Sequence, residues 1–172
     1  MEALKTDKKA FIEGFILLYD LHTTLFSNVI ENITEEDAHN RLNTKANHVA
    51  WLTGSLVQER FDLANALNIE EQQKAAALFE GHKGVQDQLT YPSLSSFKED
   101  WIDISPKLRA ALLEVSQEKL DSTIPMPGGE MTFFDWVFFI IHRESYCIGQ
   151  IGLWRRLLGY DAMRYPMEPE KK

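Results

Sequence analysis

The sequence predicts an all-α fold, a four-helix bundle with one long crossover connection between its second and third helices. Three observations predict it. Four long stretches repeat apolar residues at the helical period, residues of helix-start and helix-stop chemistry separate them, and one connection, 68–90, is much longer than the others. A chain of 172 residues suits a single domain spanning 1–172, with a tail from about residue 160. At that size folding buries about 70% of the surface the unfolded chain would expose, so one core needs no staples.

The first helix is expected from about Thr6 to Ile30. At about 100° per residue Phe11, Phe15, Leu18, His22, Phe26 and Val29 share a stripe, which puts a histidine on the core face. Thr34 is an N-cap candidate ahead of Glu35, Glu36 and Asp37, whose charges suit a helix N-terminus, so a short helix to about Leu42 follows. The second long helix is expected from about Asn47 to Leu67. Its broad face of His48, Trp51, Leu52, Ser55, Leu56, Glu59, Asp62 and Leu63 is half polar.

Gly81 and Gly84 interrupt the weak pattern that comes next, and Tyr91-Pro92-Ser93 reads as a stop followed by a new cap. The third helix covers about Leu94 to Val115, with Pro106 expected to kink it because proline donates no bond to residue 102. Pro125, Pro127, Gly128 and Gly129 predict a loop. Thr132 then caps a fourth helix that runs to about Leu158 and stops at Gly159.

Charge and composition exclude several classes. A net charge of -8 argues against a phosphate-tracking surface, so no nucleic-acid partner is expected. The longest apolar run, Phe133 to Ile141, is about half a membrane span, and no membrane partner is expected. The N-terminal residues lack the basic, apolar and small-residue order of a signal peptide, which predicts a cytoplasmic protein. A single cysteine, Cys147, allows no internal disulfide and no cysteine-rich zinc cluster.

Chemistry is sought in the middle of the fourth helix. Trp136, Ile140, Arg143, Cys147, Ile151, Trp154 and Leu158 fall in one stripe within about 40° of Cys147 on a helical wheel, and Arg143 is the only charge among them. A charge in an apolar seam must be paired or line a cavity. The run Phe133 to Ile141 is apolar on nearly every side, which asks for a second cover. A second copy of the chain supplies one, and the connection 68–90 is the alternative.

The stretch from Glu144 through Tyr146, Gly149, Gln150, Arg155 and Arg156 to Gly159 resembles the last helix of the DinB-like family of metalloenzymes. Trp51-Leu52-Thr53-Gly54, Tyr91-Pro92-Ser93-Leu94 and Tyr165-Pro166 add to the resemblance, which covers nearly the whole chain. It implies a three-histidine site for a divalent metal such as zinc or nickel, thiol-dependent transferase or isomerase chemistry in some members, and commonly a homodimer. The family pattern Trp-x-x-Gly-His meets Ser55 here, and His-x-x-x-His-x-Gly-Gln meets Arg143 and Cys147. All three implied ligand positions are changed.

A serine hydroxyl is a poor ligand and an arginine offers no lone pair, so no metal cofactor is expected. His142 lies about 140° from Cys147 on the wheel and does not restore the motif. What remains is a pocket at Ser55, Arg143 and Cys147 that binds a small molecule, with His22, Glu59, Glu144 and Tyr146 as lining candidates and Glu59 as the expected partner of Arg143. Besides a purely structural or regulatory role for the bundle, two alternatives stay open. One is metal-free thiol chemistry through Cys147 and Arg143, since a nearby cation favours a thiolate. The other is a relocated metal site of His22, Cys147 and Glu59.

Overall fold

The computed structural model describes residues 7–126 and 128–166. Thr6, Pro127 and the tail beyond 166 lie outside it, as does the side chain of His82. The chain is mostly helical: α1 (Lys8–Val29), α2 (Glu35–His39), α3 (Val49–Ala66), α4 (Leu94–Glu114), α5 (Gln117–Asp121) and α6 (Phe133–Leu157), with a small hairpin of β1 (Thr123–Met126) and β2 (Gly129–Thr132) before α6. Among the long helices, α1 and α3 each pack against both α4 and α6. No described helix is long and apolar enough to cross a membrane.

Each long helix starts on a side-chain cap that accepts otherwise orphaned amide protons. Asp7 accepts from Lys9 and Ala10, Ser93 from Ser96, and Thr132 from Asp135. His48 does the same for α3, its Nδ1 accepting from the Trp51 amide at 3.0 Å. The end of α6 is tied to the end of α1 by Arg155, a buried side chain that donates to the carbonyls of Val29 and Glu31.

Two expectations need correction. The buried face of α1 is Ile12, Ile16, Tyr19, His22, Leu25, Phe26 and Val29, whereas Phe11 and Leu18 are exposed. The apolar residues of α1 cover most of its circumference, so periodicity alone left the stripe's rotation open by about one residue. The segment 123–132 is a hairpin rather than a loop, pairing Thr123 with Thr132 and Met126 with Gly129. Gly128, at φ +94°, supplies the turn conformation that its glycine identity permits. The third long helix, α4, carries Pro106 inside it, within the span the sequence predicts. Pro106 and Ile102, whose carbonyl proline leaves without a helical donor, are both exposed.

The core carries one close approach that positions the site. A Cβ built on Gly54 would overlap the rings of Phe79 and Phe97, so glycine here lets the connection 67–93 and α4 press against α3. That contact brings Phe79 beside Trp51, with ring centroids 6.4 Å apart.

Candidate functional site

Two polar clusters lie side by side between α3 and α6. The sequence builds both from adjacent residues of opposite charge: Glu59-Arg60 on α3 and Arg143-Glu144 on α6. Consecutive helical residues diverge by about 100°, so each pair sends one member toward a surface cleft and the other into the core.

In the cleft, Arg143 forms an ion pair with Glu59 and donates to Ser55 Oγ at 2.9 Å. Glu59 and Ser55 lie one turn apart on α3, which lets one guanidinium reach both. The cleft has a volume of about 370 Å³. Aromatic lining comes from Trp51, Phe79, Trp136 and Phe139, and Met126 of the hairpin and Lys83 also border it. Two buried atoms of these residues have no hydrogen-bond partner, Trp51 Nε1 and Glu59 Oε2, one a donor and one an acceptor.

In the core, Arg60 is fully buried and forks onto both oxygens of Glu144, at 2.6 and 3.0 Å. Its remaining nitrogen donates to Thr23 Oγ1 at 2.8 Å and to Ser105 Oγ at 2.6 Å. The guanidinium also lies 3.4 Å from the centroid of Trp101 and 3.9 Å from that of Tyr19. A buried cation therefore has a bidentate carboxylate, two hydroxyls and two aromatic faces in place of water. Burial disfavours the charged form of Glu144, but Arg60 and His22 outweigh it and hold the carboxyl below its usual range. Tyr19 donates to the Ser105 carbonyl at 2.8 Å, and burial pushes its pKa up to about 12. His22 bridges the cluster to the surface, with Nδ1 3.0 Å from Glu144 Oε2 and Nε2 2.7 Å from Ser145 Oγ.

The sequence-derived residues separate accordingly. Ser55, Glu59 and Arg143 line the cleft together. His22 and Glu144 belong to the core cluster instead, because Glu144 turns inward to Arg60. Tyr146 is 64% exposed and does not line the cleft. Cys147 is 2% exposed, and burial raises its thiol pKa despite the opposing pull of Arg143. That is the environment of an inert thiol. Arg60 was missed by periodicity, although its place four residues after Leu56 and three before Leu63, both buried, is a core signature.

The metal implied by the resemblance does not fit these residues. Ser55 accepts from a guanidinium, Glu59 is ion-paired with the same group, and Arg143 places a fixed positive charge among them. The relocated set does not assemble either. His22 is held by Glu144 and Ser145, and among the described residues no three His, Cys, Asp or Glu side chains are grouped to hold an ion.

No family model matches this chain, and no curated protein matches its sequence. The geometry of the two clusters therefore carries the functional reading.

Proposed function

We propose that the chain is a DinB-like four-helix bundle of the cytoplasm that binds a small organic molecule, without a metal, in the cleft at Ser55, Glu59 and Arg143. The observation that carries the reading is the bridge of Arg143 to Glu59 and Ser55, a cation held at the positions where the resemblance implies metal ligands. The cleft has the lining of a ligand site, with aromatic side chains from three segments and a few polar groups among them. In its wall Trp51 Nε1 and Glu59 Oε2 are buried without hydrogen-bond partners. Cys147 takes no part, since the thiol is buried and shifted toward its neutral form.

The reading includes a homodimer. Phe138 and Phe139 are 53% and 45% exposed on α6, next to the buried Val137 and Ile140. Within the chain Phe138 meets Phe15, but about half of its surface stays uncovered. Apolar surface of this kind on the longest helix suits contact with a second copy.

The test is a fragment screen by protein-observed NMR on the full chain. Binders are expected to shift the indole signals of Trp51 and Trp136, and to lose affinity at least tenfold in Trp136→Ala. A screen whose hits leave both indoles unmoved would place binding elsewhere and overturn the reading.

A further inference from the structure

The core cluster reaches the surface at Ser145, and the groups there stand in the order of a hydrolytic relay. Glu144 is ionised, both of its oxygens held by Nε and Nη2 of the Arg60 guanidinium, and so accepts protons from its neighbours without donating any. In the neutral imidazole of His22 the hydrogen is therefore assigned to Nδ1, pointing to Glu144 Oε2 3.0 Å away, which leaves the lone pair on Nε2. The hydroxyl facing that lone pair belongs to Ser145, at 2.7 Å. Nucleophile to base and base to carboxylate are both within hydrogen-bond reach, and the carboxylate is itself anchored.

Burial divides the three groups in the way such a relay needs. His22 and Glu144 are buried, so the base is shielded and fixed, whereas Ser145 is exposed. Around it the helices offer apolar surface: Leu18 and Leu21 on α1 are partly exposed beside His22. One turn beyond Ser145, a Cβ built on Gly149 would meet nothing within 4 Å. The surface beside Ser145 is open to an acyl donor.

We propose that Ser145 is a nucleophile activated by His22 and Glu144, and that it takes acyl groups from activated donors with apolar acyl chains, thioesters above all. Ser145 Oγ attacks the acyl carbon while its proton passes to His22 Nε2. The bond from that carbon to the leaving sulfur or oxygen then breaks, and the leaving group departs with the proton from His22. Water attacks the acyl-serine in the same way, giving its proton to His22. The proton returns to Ser145 as the acid is released, so the net reaction consumes one water and yields an acid and a thiol or alcohol.

The location also sets the limit of the chemistry. Ser145 lies inside α6, where amide protons belong to the helical ladder, so no backbone donor meets the developing oxyanion. Loss of one such donor costs roughly 10² to 10³ in rate in enzymes that have it. Thioesters and aryl esters, with good leaving groups, tolerate that loss, and amides do not.

The test treats the full chain with an alkyl fluorophosphonate and, separately, with p-nitrophenyl octanoate, and locates any adduct by peptide mass spectrometry. The expected result is a phosphonyl adduct on Ser145, with ester turnover lost in Ser145→Ala and reduced at least 100-fold in His22→Gln. A folded wild-type protein with no adduct on Ser145, or ester turnover that survives in Ser145→Ala, overturns the proposal. Either outcome leaves the contact of Ser145 with His22 as a lock between helices. The wild-type labelling decides the matter even where a variant fails to fold.

Discussion

Arg60 and Arg143 face carboxylates across the same pair of helices, but their surroundings give the two ion pairs different weights. The Arg60 and Glu144 side chains are 0% and 1% exposed, and those of Arg143 and Glu59 are 25% and 14%. Arg60→Ala leaves a carboxylate buried without its cation, and the expected loss is about 3 to 5 kcal/mol. Arg143→Ala leaves Glu59 within reach of water, and about 1 to 2 kcal/mol is expected, between the surface and buried cases. Urea denaturation of the two variants measures both. Equal losses would show that the cleft pair is as desolvated as the core pair.

His48 links a local cap to acid sensitivity. Burial, then the charges of His39 and Arg41, lower its pKa from 6.5 to about 4. The neutral ring is also the form that caps α3, since Nδ1 accepts from the Trp51 amide. Because the unfolded chain binds the proton more readily, the stabilisation is complete above pH 6.5 and is lost progressively as pH falls toward 4. It amounts to at most about 3 kcal/mol. His48→Asn keeps a capping oxygen and removes the titration. Its stability should therefore fall less steeply than wild type between pH 6.5 and 4, as thermal melts across that range will show. An unchanged slope contradicts the assignment.

At the scale of elements, capping and periodicity made the helices legible, since Ser93 and Thr132 cap the long α4 and α6, and Thr34 the short α2, where their sequence position predicts. What stayed hidden was short. α5 has only five residues and β1 four, too few for a period to declare itself, and Pro125 in β1 reads as a breaker until the pairing with Glu130 is seen. The cleft was half legible. Ser55, Glu59 and Arg143 follow from the polar face of α3 and the lone charge in the stripe of α6, but Met126 and Phe79 reach it from the hairpin and the long connection, which no helical pattern predicts. Arg60 and the inward turn of Glu144 were hidden for another reason: each of the two stands beside a residue of opposite charge, and only the direction of the helix face decides which member of a pair turns inward.

The registers of α3 and α6 allow a direct check on the proposed ancestry of the cleft. Arg143 touches Ser55, and Cys147 follows Arg143 by one turn on the same side. Ser55→His, Arg143→His and Cys147→His combined are expected to create a site for zinc or nickel, because four-residue spacing presents two imidazoles together. The readout is a metal-dependent rise in melting temperature. A folded triple variant indifferent to both metals would show that these positions do not match the family's ligands.

For the whole molecule, the exposed apolar surface of α6 predicts association. Sedimentation equilibrium at micromolar concentration is expected to give about twice the 19.8 kDa chain mass. A single species at the chain mass would leave Phe138 and Phe139 as ordinary exposed apolar residues. The central claim, that Arg143 stands where a metal ion would and leaves the cleft to an organic ligand, is tested most directly by elemental analysis of untagged protein after mild chelation. The account predicts zinc, nickel and iron each far below one equivalent per chain. A near-equimolar content of any of the three that survives chelation would contradict it.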